Sequence, residues 1–320
     1  MNTSLRALLA AGALIATGAM ARETALPATA NERATDRTEA TRAFARTFLD
    51  RYFMRHDFGA YAALAAPDFI QHDPDMADGV AGHRAFFAKL MQKPRADPPP
   101  PPPRHVTDMV LVDGDIFAMM HHSVTADGKA RLFVDLWRVA DGRIAEHWDV
   151  IQPIPATSLN GNGMGCGNYE TWDRAGQAQD SIAAPTCGLP DPEADRAASL
   201  QVYHDYVAQV ARGDVIGAIN HYLSADYRQH SPIIADGRQG AIDYLRREWG
   251  DLSGPKPQLG PQRIVAEGDL VLVHYILTDM ATGRKSAQVD IFRMRNGQIA
   301  EHWDIKQPVP DHAENGNGMW

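Results

Sequence analysis

The sequence predicts an α+β protein made of two copies of one domain. The pentapeptide AEHWD stands at residues 145–149 and again at 300–304, and each copy leads into a Gln-Pro-x-Pro exit. In each half, patterns typical of helices come first and patterns typical of strands follow. Helices that precede an antiparallel meander are expected to pack on one face of the resulting sheet.

The repeat extends well beyond the pentapeptide. Around it the halves align without a gap at an offset of 155, and Asn-Gly-Asn-Gly-Met recurs at 160–164 and 315–319. Upstream, IQHDP at 70–74 matches RQHSP at 228–232. Repeats of this size are domains rather than solenoid units. We therefore predict the following organisation: a first domain at 38–155, a linker at 156–195 and a second domain at 196–320.

Each predicted domain begins with helices. Apolar residues recur at spacings of three and four at 41–57 and 197–214, which predicts amphipathic helices there, and we expect short helices at 82–92 and 240–249. Two of these segments begin the halves, and the other two follow the Gln-His segments. The six prolines at 98–103 cannot form a helix or a central strand, so we expect a polyproline II surface loop there.

The predicted strands follow the helices. Residues 105–125 and 130–152 read as strands, as do their counterparts in the second half. Asp141-Gly142 and Asn296-Gly297 are strong signals for two-residue hairpins. The last two strands of each half should therefore be antiparallel neighbours.

The N-terminal residues predict export. Arg6 precedes an apolar run and the small-residue site Ala19-Met20-Ala21, which is typical of a secretory signal peptide at 1–21, followed by a disordered leader at 22–37. An N-terminal membrane anchor is the alternative. The expected location is periplasmic or secreted, and there the pair Cys166 and Cys187 predicts a disulfide.

The bulk composition excludes some classes of partner. The net charge is −9 and no basic run occurs, which argues against a nucleic-acid partner. No apolar stretch beyond the N-terminus is long enough to span a membrane. No metal site is expected, because neither HExxH nor a settled His cluster occurs and His121 and His122 point to opposite faces of one strand.

The hairpin turns predict which side chains share a sheet face. Counting back from Asn296-Gly297 places Asp290 opposite Trp303, and the same count from Asp141-Gly142 places Asp135 opposite Trp148. A loop centred near Thr282 would place His274 opposite Asp290. An Asp beside a His under a Trp is plausible as an acid–base pair, because burial and a cationic neighbour shift the pKa of the Asp in opposite directions. The alternative is a buried hydrogen bond that only fixes strand register.

In the first half the sequence does not decide which histidine lies beside Asp135. His121 lies opposite Asp135 if the loop centres on Gly128, whereas a shift of one residue brings Met120 there with His122 nearby. His72 and His230, in the Gln-His turns, could reach the same cavities or only cap a turn. Strand alternation turns the remaining side chains of the pentapeptides away from the cavities, namely His147, His302, Asp149 and Asp304.

The chain resembles a known family at YRQHSP (227–232), QVDIFRMRNGQIAEHWD (288–304) and ENGNGMW (314–320). Over both halves it resembles the SnoaL-like polyketide cyclases, and more narrowly the SnoaL-like aldol-condensation group of the nuclear transport factor 2-like superfamily. The resemblance implies two cone-shaped α+β barrels, each with helices on a strongly curved antiparallel sheet around a hydrophobic pocket. It also implies an inward Asp as general acid/base, assisted by a His, without metal or organic cofactor.

Carried onto this chain, those roles fall on Asp290 with His274 and on Asp135 with His121 or His122. The predicted function is an exported cyclase, isomerase or aldol-type enzyme for a small apolar carbonyl compound. The alternative is a non-catalytic periplasmic module that binds a small molecule. We also expect an internal pseudo-dimer or a homo-oligomer, and a better His–Asp pair in the C-terminal pocket. The predicted substrate-binding residues are Trp303, Trp148, His230 and His72.

Overall fold

The computed structural model describes residues 30–91, 104–124, 129–166, 186–253, 262–279 and 282–320. The predicted signal peptide, the proline run and the middle of the linker lie outside these ranges. Residues 30–37, which we assigned to a disordered leader, are helical. One reason is that the hydroxyl of Thr38 accepts the N–H of Gly114 at 3.0 Å and so ties this helix to a strand turn. Among the described residues no helix is long and apolar enough to cross a membrane.

The two halves have the same order of elements. The first half contains α1 (Ala30–Leu49), a π-helical turn (Asp50–Met54), α2 (Gly59–Leu64), β1 (Ala65–Gln71), α3 (Gly79–Met91), β2 (Arg104–Asp113), β3 (Ile116–Val124), β4 (Ala130–Ala140) and β5 (Arg143–Pro153). A short 3₁₀ turn (Thr186–Gly188) precedes the second half. That half contains α4 (Arg196–Ala211), α5 (Val215–Tyr222), β6 (Leu223–Gln229), α6 (Gly237–Trp249), β7 (Arg263–Glu267), β8 (Leu270–Thr278), β9 (Lys285–Arg295) and β10 (Gln298–Pro308).

Each half forms one five-stranded sheet. The strand orders are β1-β5-β4-β3-β2 and β6-β10-β9-β8-β7. β1 runs parallel to β5, and β6 runs parallel to β10, whereas all other pairs are antiparallel. The sheets are curved but are not closed barrels, and the predicted antiparallel sheet is in fact mixed at one edge. Its first strand lies outside the meander, because a helix separates that strand from the next one.

Both predicted hairpin turns are present, but an alanine after each turn changes the register. Asp141, Gly142, Asn296 and Gly297 all have positive φ angles between 50° and 74°, as a two-residue turn with both central residues left-handed requires. Beyond the turn, Ile299 pairs with Met294, and Glu301 pairs with Arg293, so Ala300 has no partner. Ala145 is left out in the same way in the first half. A β-bulge of this kind reverses the facing of every later residue.

The faces that the helices leave uncovered pack against each other. A single apolar core contains side chains from both sheets, including Trp148 and Trp303, each 1% exposed. Each half also has a core of its own, which lies between its sheet and its helices. Each sheet is therefore covered on both faces, by helices on one side and by the other half on the opposite side.

The segments after β5 and β10 cross to the other half. Asn315 donates to the carbonyl oxygens of Asp73 (2.6 Å) and Met76 (2.8 Å), and Asn317 donates to the carbonyl oxygen of Gln71 (2.9 Å). Their counterparts in the first half, Asn160 and Asn162, hold the corresponding loop of the second half. Each half therefore fixes the Gln-His turn of the other.

The predicted disulfide is present. Cys166 and Cys187 are bonded, with their Cα atoms 5.6 Å apart. The bond joins the crossing segment of the first half to the end of the linker. The N–H of Cys166 also donates to Oδ1 of Asp108 at 2.8 Å, which anchors this segment to β2.

Candidate functional sites

Each half encloses a cavity between its helices and the concave face of its sheet. The N-terminal cavity measures about 630 Å³ and the C-terminal cavity about 660 Å³. Both volumes fall in the range of small-molecule sites. Aromatic side chains form much of the N-terminal wall, which contains Tyr52, Phe53, Phe58, Tyr61, Phe86, Phe87, Phe133 and Trp137.

A buried carboxylate between two histidines lies at the floor of the N-terminal cavity. Nε2 of His121 is 2.8 Å from Oδ2 of Asp135, and Nε2 of His147 is 3.1 Å from Oδ1. Asp135 is only 8% exposed. Burial acts to raise the pKa of Asp135, but the hydrogen bonds and charges of the two histidines outweigh it and lower that pKa to about 2. Asp135 is therefore an anion under ordinary conditions.

The second histidine is held by a glutamine of the Gln-His turn. Nδ1 of His147 lies 2.9 Å from Oε1 of Gln71, and the same oxygen accepts the N–H of Asp73 at 2.9 Å. Because that N–H fixes the orientation of the amide, Nδ1 of His147 is the donor. Both ring nitrogens of His147 thus face oxygen acceptors, Oε1 of Gln71 and Oδ1 of Asp135.

A second carboxyl group of the N-terminal cavity has the opposite character. Burial raises the pKa of Asp149 well above its ordinary value, and the nearby charge of Asp73 together with a hydrogen bond between the two side chains raises it further. The pKa of Asp73 is raised as well, chiefly by burial. Two carboxyl groups this close do not ionise together readily. The cavity therefore holds one carboxylate anion and one carboxyl group that favours its protonated form.

Four buried polar atoms of residues that line this cavity have no hydrogen-bond partner among the described residues. They are the hydroxyl of Tyr61, Nε1 of Trp137, Nδ1 of His121 and Oδ1 of Asp149, and the last two belong to groups that can accept or donate a proton in catalysis. Buried polar atoms are normally paired, so an unpaired one in a cavity marks a contact for a ligand. Since Nε2 of His121 is directed at the Asp135 anion, Nδ1 is the nitrogen left free to accept a proton.

Two further histidines line the cavity as neutral groups. Burial lowers the pKa of His83 to about 3, and desolvation by the surrounding groups together with the neighbouring His121 lowers the pKa of the more exposed His105 to about 4. Nε2 of His83 lies 2.9 Å from the hydroxyl of Tyr52. The ring of His105 lies 5.9 Å from that of His121. Neither carries charge near neutral pH, so both act as polar wall groups.

The C-terminal cavity keeps the aspartate and changes its partners. Oδ2 of Asp290 accepts the hydroxyl of Tyr275 at 2.6 Å, and Oδ1 accepts the amide of Gln288 at 3.0 Å. Nε2 of His302 lies 3.2 Å from Oδ1. Burial opposes the charged form of His302, yet the bond to Asp290 raises the pKa of His302 above its ordinary value. Tyr275 occupies the place that His121 has in the first half.

The carboxyl pair is also missing from the C-terminal cavity. Burial raises the pKa of Asp304, the counterpart of Asp149. Its neighbour in the Gln-His turn is Ser231, which stands where the first half has Asp73, and a hydrogen bond from Ser231 acts to lower the pKa of Asp304. Besides its central aspartate, the second half thus has one histidine bonded to that aspartate and one further buried carboxyl group, where the first half has two of each.

The predicted His274–Asp290 pair is wrong. Asp290 pairs with Val273 across the strands and His274 pairs with Val289, so His274 lies on the other face of the sheet. The loop between β8 and β9 is one residue out of the register we assumed. Nδ1 of His274 lies 3.0 Å from Nη1 of Arg263, and burial followed by that cation lowers the pKa of His274 to about 3.

Of the two candidate histidines in the first half, His121 is the one that contacts Asp135. Asp135 pairs directly with Met119, two residues from His121, and a shift of two keeps His121 on the face of Asp135. His122 points to the opposite face, where its Nδ1 lies 2.7 Å from Oδ2 of the fully buried Asp108. The prediction that the C-terminal cavity has the better His–Asp pair is therefore wrong.

The predicted substrate-binding tryptophans and turn histidines lie between the halves. The bulges turn Trp148 and Trp303 into the shared core. His72 stacks on Trp148 at 5.0 Å, and His230 stacks on Trp303 at 4.5 Å. Neither histidine lines either of the two cavities described above, and Nδ1 of each is directed at a crossing segment, 2.7 Å from the carbonyl oxygens of Gly318 and Gly163 respectively.

The same bulges explain which cavity residues the sequence reasoning missed. We expected His147, Asp149, His302 and Asp304 to face away, but the extra alanine brings them inside. The available signal was the repetition of all five letters of AEHWD, including its polar residues. In the ranges that the structure describes, no group of three or more His, Cys, Asp or Glu side chains is arranged to hold a metal ion.

Comparisons with known proteins agree with this architecture. The SnoaL-like domain matches the chain twice, at residues 45–147 and 203–302. No match was found among curated proteins. Solved structures similar to one half include an NTF2-like protein of unknown function from Mesorhizobium loti, which is 25% identical and covers 37% of this chain and 94% of its own (TM-score 0.30). Another is TsrD from Streptomyces laurentii, 28% identical over 36% of this chain and 92% of its own (TM-score 0.29).

Proposed function

The chain belongs to the SnoaL-like domain family, and we propose that it is an exported, cofactor-independent acid–base enzyme acting on a small, mostly apolar carbonyl compound in its N-terminal cavity. The observation that supports this is the coexistence, in one aromatic cavity, of a base and an acid with open atoms. The base is His121, and the acid is Asp149. Pairs of groups whose environments separate their pKa values are typical of acid–base sites.

The roles follow from the geometry. Nδ1 of His121 takes a proton from the carbon next to the substrate carbonyl, and Asp135 at Nε2 stabilises the imidazolium that forms. Asp149 in its protonated form donates to the carbonyl oxygen, so that an enol results. In the first outcome the enol carbon attacks a second carbonyl carbon, the imidazolium of His121 protonates the new alkoxide, and the enol proton returns to Asp149. In the second outcome the imidazolium returns its proton to a different carbon of the conjugated enol, and the enol proton returns to Asp149. These outcomes are aldol-type cyclisation and isomerisation, respectively.

The remaining polar groups orient this pair. His147 holds the second oxygen of Asp135, and Gln71 fixes His147. Asp73 keeps Asp149 protonated. The C-terminal cavity contains Asp290 but has Tyr275 in place of His121, the proposed base, and a serine in place of Asp73. We therefore assign the reaction to the N-terminal cavity.

The test is a screen of the purified protein against a library of small ketones and aldehydes, with both binding and turnover measured. We expect Asp135→Asn and Asp149→Asn to lower turnover at least a hundredfold while ligand binding persists, a loss typical of general acid–base groups. The matched control is Asp290→Asn in the other cavity, which should retain most turnover. If Asp290→Asn is the more damaging change, the assignment is wrong. Binding without turnover of any compound would instead support the non-catalytic binding module.

A further inference from the structure

The first helix of the N-terminal half ends irregularly. α1 passes into the π-helical turn (Asp50–Met54), and His56 follows with a positive φ of 52°. In the second half α4 remains α-helical to Ala211, and Gly213 stands in the place of His56, between an Arg and an Asp. π turns are rare and occur frequently at functional sites, and positive φ is uncommon for residues other than glycine. In the described part of the chain, the two irregularities occur together only in the half that contains the proposed base.

The π-helical turn is held by ion pairs and backbone hydrogen bonds. The N–H of Arg55 donates to the carbonyl oxygen of Asp50 at 3.0 Å, which is the bond of a π turn, and their side chains pair at 2.8 Å. Arg51 donates to one carboxylate oxygen of Asp57 from Nη2 at 2.7 Å and from Nε at 3.2 Å. The N–H of Asp57 donates back to the carbonyl oxygen of Arg51 at 3.0 Å. These contacts fix the backbone on both sides of His56 and so hold its left-handed conformation.

The π-helical turn brings two successive aromatic side chains onto one face. Residues five apart lie about 140° apart around an α-helix, whereas the wider π turn places them close together. The ring of Phe48 accordingly contacts both the ring of Tyr52, at 5.3 Å, and the ring of Phe53, at 6.3 Å. Both Tyr52 and Phe53 line the N-terminal cavity.

Phe53 packs against the proposed base. Its ring centroid lies 5.2 Å from that of His121, with the two ring planes at 66°. The ring of His121 also stacks on Phe133 at 4.8 Å, and its Nε2 is directed at Asp135. Edge-to-face and stacked contacts are the arrangements that aromatic rings prefer. Two phenyl rings and one carboxylate therefore fix the imidazole, and its Nδ1 is left without a partner.

We infer that the π-helical turn positions the proposed base: it places Phe53 against His121 and so holds the imidazole with Nδ1 open to the substrate. Phe53 is thus a positioning residue, and its effect on turnover rests on the proposed function. Its effect on the orientation of the ring does not, because the contact exists without substrate. In the second half Tyr275 has the place of His121 and bonds Asp290 through its hydroxyl, so no imidazole has to be held there.

The experiment compares two matched variants, Phe53→Leu and Phe44→Leu. Phe44 is also half-buried in the core of the first half, but its ring contacts are with Phe48 and Phe117. NMR spectra of ring-labelled histidine report the tautomer of His121, whose signals are assigned by their loss in His121→Gln. We expect one tautomer of the neutral ring, with the proton on Nε2, in the unchanged protein and in Phe44→Leu. In Phe53→Leu we expect a mixture of the two tautomers.

The kinetic readout separates positioning from substrate contact. Phe53→Leu should lower kcat about tenfold and change KM less than about threefold, because a misplaced base slows the chemical step. Phe53→Tyr retains the ring and should keep most of the turnover. Arg51→Met removes the pair with Asp57 and should change kcat in the same direction as Phe53→Leu, but less. The control Arg46→Met, at an exposed position of α1, should leave kcat unchanged.

The outcomes distinguish this inference from the proposed function. An unchanged His121 spectrum in Phe53→Leu, or equal effects of Phe53→Leu and Phe44→Leu, would overturn the inference. A larger change in KM than in kcat would make Phe53 a substrate contact and would overturn it as well. If the unchanged protein turns over no compound, the proposed function fails, whereas a mixture of tautomers in Phe53→Leu alone still supports the positioning of His121.

Discussion

Replacing Asn315 and Asn317 by alanine should destabilise the N-terminal half, although both residues follow the last strand of the C-terminal half. Their side chains donate four hydrogen bonds, to the carbonyl oxygens of Asp73, Met76 and Gln71 and to Oδ1 of Asp78, at 2.6–2.9 Å. At about 0.5–1.5 kcal/mol net for each bond, the double variant should lose roughly 2–6 kcal/mol of unfolding free energy. Asp73 and Gln71 hold the acid and the second histidine of the proposed site.

The assay is urea unfolding followed by circular dichroism, combined with carboxyl NMR of Asp149. In Asn315→Ala, Asn317→Ala the pKa of Asp149 should move toward its ordinary value, because the Asp73 loop is no longer held beside it. The matched control is Asn160→Ala, Asn162→Ala, which removes the equivalent bonds to the other loop. That control should lose similar stability and leave Asp149 unchanged. If the tail variant leaves both stability and the Asp149 titration unaltered, the positioning argument is refuted.

Three further predictions follow from the site and the disulfide. Because the pKa of Asp149 is raised in the folded protein, the protonated Asp149 carboxyl group stabilises the fold fully below the ordinary Asp pKa of about 3.9. This stabilisation is lost as the pH rises through the raised pKa. Asp149→Asn should therefore flatten the pH dependence of the urea midpoint above about pH 4. Because the pKa of Asp135 is lowered in the folded protein, ionised Asp135 should stabilise the fold above about pH 4, and this stabilisation should disappear as the pH falls toward about 2. Asp135→Asn should abolish that part of the loss of stability in acid. Reduction of the Cys166–Cys187 bond should add about 2 Da to the intact mass and cost about 3 kcal/mol of stability in the chain-entropy model, whereas two free thiols in folded protein purified without reductant would contradict the pairing.

The element order and the turns could be predicted because they depend on local signals. Helical periodicity, the Asp-Gly and Asn-Gly turns and the repeated segments each act over a few residues. The facing of AEHWD could not be predicted, because one unpaired alanine reverses it and alanine carries no turn or bulge signal of its own. The predicted facing of His274 was wrong for a related reason, because we centred the loop before β9 one residue away from its real position.

The cavity aspartates could be predicted for a different reason. The resemblance assigned Asp135 and Asp290 to the cavities, where they lie. The count across each turn was wrong, because it placed them opposite Trp148 and Trp303, whereas they pair with Asp149 and Asp304. His121 remained on the correct face because the register error there was two residues, which preserves the facing. The crossing segments were visible only as a repeat, since nothing in Asn-Gly-Asn-Gly-Met indicates whether it binds its own half or the other.

Because each crossing segment binds the other half, the contacts of the two halves form in a fixed order during synthesis. The ribosome makes residues in sequence, so β1 to β5 can pair long before Asn315 and Asn317 exist. The loop that carries Asp73 then waits for the second half to be made, while the loop at residues 229–236 finds Asn160 and Asn162 already present. The N-terminal cavity, to which the reaction is assigned, should consequently acquire its final geometry last. A nascent chain halted after the first half would carry all of the proposed acid–base residues and lack the contacts that set them in place.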